Sequence, residues 1–122
     1  VRLLLDTHTF IWWDNDRLPR PVTRRIQRAT EVFVSAVTAW EIAIKCSLGK
    51  LVAKGDVAEA LEDYGFKPLA ISLSHADCVR TLPPLHRDPF DRMLVAQASI
   101  EGLSIVSADE ALCGYAVPVV WA

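Results

Sequence analysis

Short apolar runs alternate with segments of helical period along this chain. Leu3-Leu4-Leu5 fits a buried strand, and Thr7 to about Asp14 reads as a helix carrying Phe10, Ile11, Trp12 and Trp13. Pro19 and Pro21 break the pattern before a basic-faced helix from Val22 to Ala29, with Arg24, Arg25 and Arg28 on its exposed side. Val32-Phe33-Val34-Ser35, β-branched and aromatic, predicts a second strand. Ala36 to about Leu48 predicts a helix stopped by Gly49. Asp56 to Tyr64 predicts a helix capped by Asp56, Pro68 to Ser72 a third strand, and Ser74 to Leu82 a helix ending before Pro83-Pro84. Asp88-Pro89 opens the best-marked helix, with an Asp cap and Pro at the first position, running to about Glu101 and stopping at Gly102. Leu103 to Ser107 and Val117 to Trp121 complete the strands. Strands alternating with helices imply an α/β fold with a parallel sheet covered by helices on both faces. In such sheets the functional crevice lies beyond the carboxyl ends of the strands.

Composition narrows the picture. At 122 residues the chain suits one domain, residues 1–122, and a 52% hydrophobic share requires extensive burial. No apolar run approaches the roughly 20 residues of a membrane span, and the first apolar run meets Asp6 at once, unlike a signal peptide. Cys46, Cys78 and Cys113 are odd in number and about thirty residues apart, a pattern of neither a zinc knuckle nor a disulfide framework, and a reducing cytoplasm is expected. A net charge of −2 argues against a simple nucleic-acid-binding module but is compatible with a nuclease whose metal ions offset local acidity.

The carboxylates carry the candidate chemistry. Asp6 directly follows the first strand and Asp109 closely follows the fourth, so both are expected at the carboxyl edge of the sheet. Asp91 lies near the N-terminus of the helix that leads into the fourth strand. Glu41 shares a polar stripe with Thr38 and Lys45 on an otherwise apolar helix. Each acid has an ordinary structural explanation. Asp6 and Asp109 can cap helical turns, Glu41 can pair with Lys45 at i+4, and Asp91 can be the acidic third residue after a cap at Asp88. Several of them nevertheless converge on one edge, where like charges resist ionisation. A hard divalent cation with oxygen ligands, magnesium or manganese, would relieve that repulsion, and two such ions could serve a phosphodiester displacement.

Four segments resemble the PIN-domain family, and within it the VapC-like toxins of toxin–antitoxin pairs. They are Leu3 to His8, Ser35 to Lys45 continuing through Gly49-Lys50-Leu51, His86 to Ala98, and Leu103 to Asp109. The resemblance implies a three-layer α/β/α sandwich around a parallel sheet of four to five strands. It implies a magnesium-dependent endoribonuclease in which Asp6, Glu41 and Asp91 match the first three catalytic, metal-binding acids and Asp109 matches the more variable fourth. Asp88 is assigned to capping. It further implies a cytoplasmic location, a homodimer, and inhibition by a cognate VapB-like antitoxin.

Thr7, Ser107, Arg92 and Lys45 are candidates for contacting substrate, each also explicable by local bonding. Trp12 and Trp13 are candidates for a groove that takes an antitoxin helix. His8, His75 and His86 lie scattered, without partners at nucleophile or ligand spacing, and no chemistry is expected of them. Two rivals stand beside the nuclease. One is a phosphatase using Asp6 as nucleophile, although it would want an acid where His8 stands. The other is an inactive PIN module that only binds a partner.

Overall fold

A computed structural model describes residues 1–52 and 54–122. The elements run β1 (Arg2–Leu5), α1 (Thr7–Asp14), α2 (Arg20–Arg28), β2 (Glu31–Ser35), α3 (Ala36–Ser47), α4 (Val57–Tyr64), β3 (Lys67–Leu69), α5 (Leu73–Val79), α6 (Pro89–Glu101), β4 (Ser104–Ser107), a 3₁₀ turn (Glu110–Leu112) and β5 (Val119–Trp121). The strands form one five-stranded sheet in the order β3-β2-β1-β4-β5, with every pairing parallel.

Side-chain alternation along the strands builds two cores. Leu3, Leu5, Val32, Val34 and Val106 face Phe10 of α1, Val22 and Ile26 of α2 and Leu61 of α4. Leu4 and Ile105 face the opposite side, against Val37 of α3 and Leu94, Val95 and Ala98 of α6. The sheet is thus covered on both faces, as the alternating pattern predicts. The fully buried run Leu3-Leu4-Leu5 suits the central strand, which has helices above and below it.

Element ends differ from expectation where local chemistry decides them. Pro21 lies inside the first turn of α2 rather than breaking the chain, because that turn does not need its missing N–H. The third strand covers Lys67–Leu69 only, since Ser72 is already the cap of α5, bonded reciprocally with His75. Pro68 is tolerated there because β3 is an edge strand paired with β2 alone. Gly102 ends α6 at φ 69°, a left-handed turn that suits glycine. Cys46, Cys78 and Cys113 are free thiols, the first two half-buried.

The strand order reverses direction at β1. From it the chain goes out to β2 and β3 on one side and to β4 and β5 on the other. The crevice of such a sheet opens at this switch point, beyond the ends of β1 and β4, where Asp6 and Asp109 emerge.

Candidate active site

Asp6 continues the β1 ladder by donating its N–H to the Val106 carbonyl at 3.1 Å, then turns to cap α1. Its Oδ1 accepts the Thr9 N–H at 2.8 Å, and among the described residues its other oxygen has no hydrogen-bond partner, in a residue that is 3% exposed. Asp88 caps α6 in the same way, its Oδ1 accepting the Phe90 N–H at 2.8 Å and the Asp91 N–H at 3.4 Å. Asp109 caps the 3₁₀ turn after β4, its Oδ1 accepting the Ala111 N–H at 2.9 Å.

Between α6 and that turn stands His86. Its Nε2 lies 2.9 Å from Asp91 Oδ2 and 3.1 Å from Asp109 Oδ2. Its Nδ1 accepts the Asp88 N–H at 3.5 Å, which leaves Nε2 as the protonated nitrogen that donates to the two carboxylates. One imidazole therefore joins acids from two separate elements.

Asp91 is electrostatically uncomfortable. Burial pushes its carboxyl up to about 6, the charges of Asp88 and then Asp6 add to that rise, and the hydrogen bond from His86 opposes it. The influence of Asp6 on Asp91 joins the end of β1 to the start of α6. Glu41 lies on α3, which meets the segment after Asp6 one turn earlier. Thr38, one turn before it, meets Thr7 hydroxyl to hydroxyl at 3.2 Å, and Thr7 directly follows Asp6. Glu41 is 7% exposed and paired with Lys45 at 3.2 Å.

The donor set fits a hard divalent cation. Asp91 and Asp109 share the His86 N–H, and Asp6 acts electrostatically on Asp91, while Glu41 is paired with Lys45 and is not joined to these acids by a bond among the described residues. Asp91 holds a raised pKa that a positive ion would relieve. His86, Asp88 and Asp91 also offer ligand atoms within 4.8 Å of one another.

A family profile described as the PIN domain matches residues 3–118. The chain belongs to the PIN domain family. It is 28% identical over 125 residues to Ribonuclease VapC22 of Mycobacterium tuberculosis (strain ATCC 25618 / H37Rv), covering 95% of this chain and 93% of that protein. Its fold matches a chain of a DNA-bound VapBC from Salmonella typhimurium at a TM-score of 0.74 and 16% identity, covering 99% of this chain and 98% of the other. A chain of VapBC2 from Rickettsia felis, bound to a promoter DNA fragment, matches at 0.74 and 11% identity over 100% of this chain and 99% of the other.

Several expectations about single residues in this PIN domain need correction. Arg92 is not free for a phosphate. Its guanidinium turns inward to the carbonyls of Val79, Leu82 and Pro83 at 3.0, 3.4 and 2.9 Å and to the Tyr115 hydroxyl at 3.3 Å. Thr7 and Ser107 are 1% and 0% exposed. Thr7 bonds Thr38, and Ser107 Oγ accepts the Asp109 N–H at 3.0 Å, so both organise the loops that carry the acids instead of facing a substrate. Lys45 is engaged by Glu41. Trp13 packs on Phe66 and Tyr64 at centroid distances of 5.2 and 5.8 Å, while Phe10, Ile11, Ile42 and Val57 line the neighbouring cleft.

Two histidines without partners at suggestive spacing find hydrogen-bond partners in the fold. His75 is buried, with Nε2 2.8 Å from Glu101 Oε2 and Gln97 Nε2 3.3 Å from its Nδ1. The partners of His86 are ones that spacing alone misses, because they stand 5 and 23 positions away. The available signal was its place in the loop that enters an Asp-capped, acid-bearing helix.

Proposed function

We propose that this PIN domain is a magnesium-dependent endoribonuclease, the toxin of a VapBC-type toxin–antitoxin pair, with manganese as a possible substitute ion. The observation that supports the reading is the linking of Asp91 to Asp109 through His86 beside the end of β4, with Asp91 raised to about 6 by burial and by the charges of Asp88 and Asp6. The 28% identity to a ribonuclease over nearly the whole chain supports it, as do fold relatives found in VapBC complexes.

In this reading Asp6 and Asp91 are the principal ligands, Glu41 completes the site or orders water, and Asp109 supports a second ion. What the cation supplies when bound is charge neutralisation at the phosphate and a lower pKa for the attacking water. The chain's own part is to hold the carboxylates in place. Asp6 is fixed by the Thr9 N–H, Asp109 by the Ala111 N–H, and Asp91 by its position in the first turn of α6. The partners are RNA, a second copy of the chain and a VapB-like antitoxin, and the location is the cytoplasm. Among the described residues no helix is long and apolar enough to cross a membrane.

Incubation with total RNA, followed by sequencing of the RNA ends, tests the reading. New ends are expected with magnesium and none in excess EDTA. Asp6→Asn is expected to abolish cleavage with little change in stability, since an Asn oxygen can still cap α1. Undiminished cleavage in EDTA, or by the Asn variant, would refute a metal mechanism at this site.

A further inference from the structure

We propose that His86 is a positioning residue that competes with the cation. Its Nε2–H holds Asp91 and Asp109 together in the metal-free protein, and the ring turns away when an ion takes the same two oxygens. The inference rests on the reading that this acidic pocket binds a divalent cation.

Three features support it. First, one N–H lies within hydrogen-bond distance of carboxylate oxygens on two different elements, 2.9 Å from Asp91 and 3.1 Å from Asp109. It supplies the positive end of a dipole between two negative groups that would otherwise repel. Second, the ring presents a donor there. The Asp88 N–H points to Nδ1, so the lone pair that could ligate a metal faces the backbone and the hydrogen faces the acids. An ion bridging Asp91 Oδ2 and Asp109 Oδ2 would stand where this N–H now points, and the ring offers it there a hydrogen instead of a lone pair. Third, apart from the long Asp88 N–H bond to its ring, the backbone around His86 is anchored by bonds the ring does not make. The His86 N–H donates to the Tyr115 hydroxyl at 3.0 Å, Arg92 reaches the same hydroxyl at 3.3 Å, and Arg92 also holds the carbonyls of Leu82 and Pro83. The side chain can therefore leave the acids by rotation while the loop stays in place.

The alternatives make different predictions. If His86 were a ligand, its removal would weaken metal binding. If it were only a packing residue, removal would alter stability and leave metal affinity alone. If it competes, removal strengthens binding.

The test is calorimetric titration of the full chain with Mn²⁺ alone. His86→Leu is expected to bind Mn²⁺ about tenfold more tightly than wild type, the scale of one charge-assisted hydrogen bond no longer to be broken. His86→Gln, which can still present an N–H, is expected to stay near wild type. Weaker or unchanged binding by the Leu variant overturns the proposal. A second measurement needs no variant. In ¹⁵N spectra of the imidazoles during a Mg²⁺ titration, the His86 nitrogens should shift saturably while those of buried His75 stay fixed. Still His86 resonances at saturating Mg²⁺ overturn the proposal as well. Wild-type binding separates the two levels of inference. A wild type that binds Mn²⁺, with a Leu variant that binds no better, refutes only the role of His86. A wild type that binds no Mn²⁺ removes the metal site itself and this proposal with it.

Discussion

Replacing Asp91 by Asn should stabilise the metal-free protein while removing its activity. In the folded state the Asp91 carboxyl is pushed up to about 6 from an ordinary 3.8, chiefly by burial, then by Asp88, against the opposing bond from His86. Between those two values the folded state binds a proton that the unfolded chain has released. Stability is therefore highest below about pH 4 as far as this group is concerned, and falls as pH rises through 6. At about 1.4 kcal/mol per pH unit the full difference is about 3 kcal/mol. Asn escapes this penalty, but it also lacks the favourable negative charge in the first turn of α6, worth roughly 0.3–1 kcal/mol. A net gain of about 2 kcal/mol at pH 7.5 is expected. Urea unfolding in EDTA, followed by tryptophan fluorescence from pH 4 to 8, measures it. The gap between Asn variant and wild type should open between pH 4 and 6 and then stay level. With magnesium the order should narrow or reverse, because only the wild type gains binding energy in its folded state. An Asn variant less stable than wild type at pH 7.5 in EDTA would refute the claim that burial and repulsion act on Asp91.

Three further outcomes are expected. Asp88→Asn keeps the α6 cap but removes one of the charges that add to burial in raising Asp91, so the fall in metal-free stability between pH 4 and 6 should become shallower in the same unfolding series. Arg92→Met should cost about 1–3 kcal/mol by urea unfolding, since it removes four hydrogen bonds and leaves the Leu82 carbonyl without its partner, and Arg92→Lys should fail to restore it because an ammonium lacks the planar fork. His75→Ala should cost about 2–4 kcal/mol by opening a buried site beside Gln97 and Glu101, with the rate of RNA cleavage by the folded fraction unchanged.

The parts of this site that were legible in the sequence are those fixed by local rules. An apolar run followed at once by Asp6, and another followed by Ser107 and Asp109, locate two acids at strand ends because a parallel strand must stop where its helix begins. Asp88-Pro89 marks a helix start, which puts Asp91 in its first turn. The Thr38–Glu41 stripe on α3 proves to be buried polar surface beside Thr7. His86 and Arg92 were not legible, for different reasons. His86 lies in an aperiodic loop, and its partners are decided by how α6 and the end of β4 pack. Arg92 sits beside Asp91 on a helix whose spacing cannot tell an outward guanidinium from one folded back over Val79 and Leu82. Long side chains settle such choices through tertiary hydrogen bonds, and periodicity carries no record of them.

The capping and the catalytic explanations of these acids therefore do not compete. Asp6, Asp88 and Asp109 each commit Oδ1 to a backbone N–H at the start of a helical turn. A cap fixes the side chain with one oxygen and leaves the second in a set position, so most of the entropy of ordering a metal ligand is already spent on folding. The positive ends of α1 and α6 also moderate repulsion among the carboxylates gathered there. Folding brings the starts of α1, α6 and the 3₁₀ turn to one side of the sheet because β1 and β4 are parallel neighbours at the point where strand order reverses. The same topology that buries Leu3, Leu4 and Leu5 thus delivers a cluster of partly satisfied carboxylates to the crevice. His86 closes that cluster by placing one N–H between Asp91 and Asp109.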